Sequence, residues 1–329
     1  IDFGWRELNN LDVSNKAAVA AYKDRWDIKK FSRERMLSYF RLYGVNEINK
    51  KRMIKNIIYQ LWRWIVAGIE EKSDGNIRSM WYRIKSVLAH HANVLEPNDV
   101  NIFYSTLLEM IEAAGLFRYK DFGFMDMNAP YCDVHDSHPE IILASEKIGH
   151  FLFIRNLARQ YGASFVCTKG EPAVISMEYF SDTLHEKCNG KPLTVFCISD
   201  VDPAGYSIER NLVKRLELNG HKIKRLVKLV DANIFESEDI SVLRYPVVSY
   251  EQSGDIIKPV APANMSQVTK ALDWFNEVQD ERLISEKDIG NGSKIVTIWG
   301  IESDAADRKL IEERFKSVLQ RLIKKKVRR

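Results

Sequence analysis

The spacing of apolar residues changes period partway along the chain, and that change divides it. From about residue 14 to 72 the apolar positions recur at helical spacing. Between Lys50 and Glu71 they fall at Met53, Ile57, Leu61, Ile65 and Ile69, a step of four that lines one face of an α-helix. Ser73-Asp74-Gly75-Asn76 interrupts the pattern, and either Asp74 or Asn76 is suited to cap a further helix running to about His90. Pro97-Asn98-Asp99 opens another, with Val100, Phe103, Leu107, Leu108 and Ile111 inward, and Ala114-Gly115 closes it. The aromatic, alternating residues of Leu116-Phe117-Arg118-Tyr119-Lys120 and Phe122-Gly123-Phe124 predict a small hairpin.

Helix, turn, helix and hairpin is the plan of a winged-helix DNA-binding unit. Around residues 126–139 the composition shifts to Asp, Asn, His and Pro, which predicts a linker. Beyond it strands and helices alternate. Strands are expected at Ile141–Ala144, Ser164–Cys167, Leu193–Ile198 and Arg225–Val230. Helices are expected between them at Lys147–Tyr161, Val174–Glu186 and Ser207–Leu218. Such alternation predicts a mainly parallel sheet with helices on both faces. Residues 231–292 read as loops and short helices, followed by a late strand at Ile295–Trp299 and a final amphipathic helix at Asp307–Lys326. The expected organisation is therefore a helical region 1–72, a winged-helix domain 73–128, and an α/β domain 139–329 with a C-terminal helix.

At 329 residues the chain can hold two domains, each with a buried core. Hydrophobic content of 45% and charged content of 29% are ordinary for a globular protein. The formal net charge of +4 argues only weakly for a polyanionic partner, and the basic run Lys324–Arg329 reads first as a solvated helix end. Cys132, Cys167, Cys188 and Cys197 show no C-x-x-C spacing; two of them fall inside apolar runs. Reduced thiols in an intracellular protein are expected, in the cytoplasm or nucleoid, or the nucleus of a eukaryote. No stretch reaches the length of a membrane span: the apolar run Ile57–Ile69 carries Gln60 and Arg63. No secretory pattern is visible.

Candidate chemistry concentrates in Ile198-Ser199-Asp200-Val201-Asp202-Pro203-Ala204-Gly205. Alternate side chains of an extended segment point the same way, so Asp200 and Asp202 are placed to converge on one cation. Pro203 and Gly205 break the strand and allow a tight turn into a helix beginning near Tyr206. Glu146 stands at the end of the first strand of the α/β region, so three carboxylates are expected at one sheet edge, where open α/β sheets place their ligands. Oxygen ligands of this kind suit Mg²⁺, with Mn²⁺ as a substitute, for chemistry on a phosphate. Taken singly, Glu146 reads equally as a first-turn acid and the aspartates as turn formers. Cys132-x-x-His135-x-x-His138 reads better as a polar linker than as a zinc site. Gly290-Asn291-Gly292-Ser293-Lys294 lacks the spacing of a nucleotide-binding loop.

Glu146-Lys147, Thr168-Lys169-Gly170-Glu171-Pro172 and Asp200-Val201-Asp202-Pro203-Ala204-Gly205 occur in the order of a Toprim domain. The arrangement resembles the version found in the DNA topoisomerase VI A subunit and the related meiotic double-strand-break transesterase. Trp299-Gly300-Ile301-Glu302-Ser303-Asp304-Ala305 is similar to a late E-x-D-A element of that group, although Glu302 and Asp304 are expected to be structural or peripheral. In those proteins a winged-helix domain precedes Toprim and carries a nucleophilic tyrosine in a motif like R-x-[IL]-[FY]-Y. Arg78-Ser79-Met80-Trp81-Tyr82 matches at its ends and departs at Met80 and Trp81. The resemblance covers roughly residues 70 to 310. It implies Tyr82 as nucleophile, Arg78 beside it on the helix to steady the phosphate, and Glu146, Asp200 and Asp202 as Mg²⁺ ligands. Lys169 is a further candidate contact to a phosphate oxygen, against the plain alternative of a solvated turn lysine. A phenol is mostly protonated at neutral pH and needs a base or cation to activate it. The resemblance further implies duplex DNA as partner, a homodimer, transesterification of the type IIB topoisomerase kind giving a tyrosyl–DNA link and a double-strand break, and a separate ATPase subunit where strand passage is driven. Two rivals are a Toprim nuclease that hydrolyses DNA without a covalent intermediate and a DNA-binding subunit with a silent centre.

Overall fold

The computed structural model describes residues 11–12, 15–26, 50–66, 71–72, 75–88, 99–126 and 131–327. The chain forms two compact units, Ile1–Asn128 and Ala129–Arg329.

The first unit is helical among its described residues. Its helices are α1 (Lys16–Trp26), α2 (Lys50–Val66), α3 (Ile77–Leu88) and α4 (Asp99–Leu108), the last continuing into a π-helical turn at Glu109–Ala113. Much of the expected helical stretch, 27–49 and 67–70, lies outside the described residues. Asn76 is the cap at the head of α3: its Oδ1 accepts the Ser79 amide at 3.1 Å. Ile54, Ile57, Ile58 and Leu61 of α2 are buried in this unit, as are Met80, Trp81, Phe103 and Leu107. The expected hairpin at 116–124 does not form. Tyr119–Phe122 is a turn of 3-10 helix, closed by Gly123 at φ 75° and tied by the Asp121 carboxylate, which accepts the Arg118 amide at 2.8 Å. The aromatic spacing serves packing: Phe117, Phe122 and Phe124 are all buried, with Phe122 edge-on to Phe117 and stacked on Phe124.

The second unit is α/β. Its first sheet contains β1 (Tyr131–Asp133), β2 (His138–Ser145), β3 (Ala163–Cys167), β4 (Leu193–Ile198) and β5 (Ile223–Lys228), in the order β1-β3-β2-β4-β5. Strands β2 to β5 are parallel and β1 runs antiparallel on β3. The segment expected as a linker thus contributes a strand: polar composition there marks an edge strand, whose three residues are all exposed. Helices α5 (Phe151–Tyr161), α6 (Val174–Cys188) and α7 (Pro203–Leu218) connect the parallel strands. The strands alternate between two cores. Ile141 and Leu143 pack with Ile154 and Leu157 of α5, whereas Ile142 and Ala144 pack with Met177 and Phe180 of α6 and Leu212 of α7.

Residues 231–292 hold far more strand than their sequence suggested. After α8 (Ser237–Leu243) come β6 (Arg244–Ser253), β7 (Ile256–Pro259), α9 (Met265–Val278), β8 (Ile284–Gly290) and β9 (Ser293–Ile301), then α10 (Arg308–Val327). The four strands form an antiparallel sheet in the order β7-β6-β9-β8. Two short hairpin turns set its register. Asn291 and Gly292, at φ 54° and 71°, join the paired residues Gly290 and Ser293, while Gly254 (φ 57°) and Asp255 join Ser253 and Ile256. The two sheets of this unit touch through one bridge: Val201 and Ile301 exchange backbone hydrogen bonds of 2.9 and 3.2 Å. On its core side α10 sends Phe315 edge-on against Phe196 of β4.

Candidate functional site

Glu146, Asp200 and Asp202 emerge together at the carboxyl edge of the parallel sheet. Glu146 directly follows β2. Its backbone is held from both neighbours: its amide donates to Ile198 O at 3.3 Å and its carbonyl accepts the Gly170 amide at 2.6 Å. Its side chain is 8% exposed. Oε1 accepts the amide of Asp200 at 3.2 Å, which joins the ends of β2 and β4, whereas the buried Oε2 has no hydrogen-bond partner. Burial, reinforced by the charge of Asp200, pushes the Glu146 carboxyl up to about 8.

Asp200 is held oppositely. Its Oδ1 accepts the Ser303 amide at 2.7 Å and hydroxyl at 2.8 Å, and pairs with Lys147 Nζ at 2.8 Å. Burial works against its ionisation, but Lys147 and Ser303 outweigh it and hold the carboxyl below its ordinary value.

Asp202 caps α7. Its Oδ1 accepts the Gly205 amide at 2.7 Å, with Pro203 in the first turn, so the helix starts at Pro203 rather than near Tyr206. Its Oδ2 accepts the hydroxyl of Tyr245 from β6 at 2.6 Å. Burial and then Asp202 drive the Tyr245 phenol well above its ordinary value. Two glycines make room for this arrangement. A Cβ on Gly205 would lie 2.3 Å from Asp200 O, and one on Gly300 would lie 2.9 Å from both Asp202 Cβ and Tyr245 Cζ.

A set of polar and ionic contacts extends from Asp200. Lys147 Nζ also pairs with Glu302 and, at 3.3 Å, with Asp304. His150 Nε2 meets Asp304 Oδ1 at 2.9 Å while its Nδ1 meets Ser145 Oγ at 2.9 Å; burial lowers the His150 pKa despite Asp304. Glu302 and Asp304, expected to be peripheral, are thus engaged with the side chain adjacent to Glu146. Behind Glu146 a cavity with space for roughly one water is lined by Ser145, Thr168, Ser199 and the buried Glu209.

Among the described residues, no three His, Cys, Asp or Glu side chains are already gathered as a metal-binding group. The donor set nevertheless fits a hard divalent cation. Three carboxylates share one edge, and a buried oxygen of Glu146 lacks any partner, a costly condition that a cation would relieve.

The remaining sequence-predicted residues divide by unit. Lys169 sits on the same edge, in the turn after β3, at φ 56°, with its Nζ 4.8 Å from the centre of the Tyr131 ring. Tyr82 and Arg78 belong to α3 of the first unit. Tyr82 is 52% exposed, and Arg78 donates to its hydroxyl at 3.3 Å. That hydrogen bond, more than any other contact, raises the Arg78 pKa. In the cysteine–histidine cluster, Cys132 stands in β1 and His138 in β2, and His135 Nδ1 accepts the Ser137 amide at 3.1 Å. Sequence reasoning missed Lys147, Tyr245, Gly300 and Ser303. Lys147 carried a signal in standing next to Glu146, and Gly300 and Ser303 lie inside the late element Trp299–Ala305; Tyr245 carried none and reaches the site from β6.

No helix among the described residues is long and apolar enough to cross a membrane. No protein-family model and no curated protein matches the chain.

Proposed function

We propose that this chain cleaves duplex DNA by Mg²⁺-dependent transesterification, with Tyr82 as nucleophile, in the manner of a Toprim protein related to the topoisomerase VI A subunit. The observation that carries the reading is Glu146: a buried carboxylate with one unpartnered oxygen, hydrogen-bonded through the other to the backbone of Asp200. Structural acids are ordinarily satisfied by the fold that buries them. Glu146, Asp200 and Asp202 would hold the ion, which supplies charge stabilisation to a phosphoryl group.

The residues of the chain do the rest. The exposed phenol of Tyr82 attacks phosphorus, the bond from phosphorus to the sugar oxygen breaks, the proton of the phenol leaves to solvent, and the departing sugar oxygen takes a proton from solvent to become a hydroxyl. Arg78, whose guanidinium already donates to the Tyr82 oxygen, stands beside the nucleophile and then steadies the new phosphodiester. Because the ester conserves the bond energy, the break can be resealed by the departing hydroxyl. Helices α3 and α4 would supply the helical half of the proposed winged-helix unit, and the segment expected as its wing, 116–124, is a 3-10 turn in place of a hairpin. A homodimer would deliver one tyrosine per strand, and a separate ATPase subunit would drive strand passage.

Incubating end-labelled and supercoiled duplex with Mg²⁺ or Mn²⁺, then denaturing, tests this. Label should remain covalently on protein and vanish in Tyr82→Phe. Free DNA ends that persist in Tyr82→Phe would replace the reading with metal-dependent hydrolysis. Duplex binding with no cleavage in any metal would leave a DNA-binding subunit.

A further inference from the structure

The ammonium of Lys147 lies among three carboxylates from two different sheet edges. It is 2.8 Å from Asp200 Oδ1 and 3.3 Å from Asp304 Oδ2, and it is hydrogen-bonded to Glu302 Oε2. Asp200 follows β4, whereas Glu302 and Asp304 follow β9. The lysine side chain is 22% exposed, but Glu302 and Asp304 are more than half exposed. The cation is thus drawn in from acids that themselves face water. An ammonium has three donors, and these three carboxylates can occupy them all. Fixing so flexible a stem costs rotamer entropy, which a lysine in open solvent avoids.

The same contacts decide how many ions the edge can take. In a two-metal phosphoryl-transfer site the paired ions stand about 3.5–4 Å apart and are clamped together by their ligands. Asp200 is the carboxylate in the middle of this set. Its Oδ1 already receives the Ser303 amide, the Ser303 hydroxyl and Lys147. The Lys147 ammonium occupies the open side of Oδ1 with a positive charge that repels a metal, so while the lysine is there Asp200 offers only Oδ2, to one ion.

We infer that Lys147 is a built-in cation: its ammonium takes the place of a second divalent ion, and the edge binds a single ion through Glu146, Asp200 and Asp202. The inference rests on the proposed metal centre and specifies its stoichiometry. It also assigns Glu302 and Asp304 a role, which is to hold the lysine against Asp200.

Counting Mn²⁺ per full-length chain by calorimetry and electron paramagnetic resonance tests it. Wild type should bind one ion. Lys147→Met should bind two, the second on Asp200, Glu302 and Asp304, with the spin–spin broadening of a close pair, and Lys147→Arg should restore one. Two ions in wild type, or a single ion in folded Lys147→Met, overturns the inference while leaving the metal centre standing. No ion on wild type overturns the metal centre itself. The wild-type count needs no variant, so a Lys147→Met chain that fails to fold does not remove the test.

Discussion

Replacing Glu146 by glutamine should stabilise the protein in chelator at alkaline pH, although it removes a buried side chain proposed to bind metal. Burial and the neighbouring Asp200 hold the Glu146 carboxyl protonated to about 8, against an ordinary value of 4.5. Between those values the unfolded chain has released a proton that the folded chain still keeps. Folded-state stability therefore falls as pH rises from 4.5, and the loss is complete above about 8. At about 1.4 kcal/mol per pH unit the gap sets a ceiling of roughly 5 kcal/mol. Sharing of charge with Asp200 and local relaxation reduce this to an expected ~2–4 kcal/mol. Glutamine escapes the penalty because it stays neutral and keeps an oxygen for the Asp200 amide. Urea unfolding of wild type and Glu146→Gln in chelator at pH 5 and pH 8.5 measures the difference. The variant should be close to wild type at pH 5 and more stable by ~2–4 kcal/mol at pH 8.5. Saturating Mg²⁺ should narrow the gap by stabilising only wild type. A variant that is weaker at both pH values by the same amount would refute the argument, since the carboxyl would then not be held neutral by the fold.

Two further substitutions probe how the proposed metal ligands are positioned. Gly205→Ala places a Cβ 2.3 Å from Asp200 O and 2.9 Å from Asp200 N. Overpacking of this kind costs about 1–3 kcal/mol, and it moves the turn that bears both aspartates. The melting temperature should drop by several degrees and Mg²⁺ affinity by at least ~10-fold; lowered melting with unchanged affinity would show that the ligands do not depend on this turn. Tyr245→Phe deletes the 2.6 Å hydrogen bond to Asp202. A hydrogen bond to a charged group contributes about 1.5–3 kcal/mol, so calorimetry should show Mg²⁺ binding weakened about tenfold, and unaltered binding would remove Tyr245 from the site.

What could be read from the sequence follows from how local each signal is. Leu193–Ile198 is a strand both by pattern and in the structure, because an uninterrupted apolar run between polar residues needs no distant partner to be recognised. The segment 116–124 misled because its aromatics alternate like a strand yet are buried on all sides, where Gly123 turns the chain back on itself. In 231–292 the turn dipeptide Asn291-Gly292 was the available hairpin signal, and its reading as a failed phosphate loop concealed it. Glu146, Asp200 and Asp202 were legible at one sheet edge since Glu146 follows the buried strand β2 and both aspartates follow the buried strand β4. Tyr245 was not, because it lies 43 residues from the Asp202 that it touches and its own strand went unrecognised.

The antiparallel sheet explains why the two aspartates are separated by one residue. Val201, between them, is the residue that pairs with Ile301 through hydrogen bonds in both directions. Fixing the middle residue of a three-residue extended segment fixes both flanking side chains relative to β9. Ser303, two residues beyond Ile301, then reaches Asp200, and Gly300, one residue before it, leaves space for Tyr245 against Asp202. The parallel-sheet layer already holds Asp202 Oδ1 on the Gly205 amide and Asp200 Oδ1 on Lys147. The second sheet adds Tyr245 on Asp202 Oδ2 and brings Ser303 to Asp200, so the proposed metal centre spans both sheets and its geometry also depends on a strand that begins more than forty residues after the aspartates.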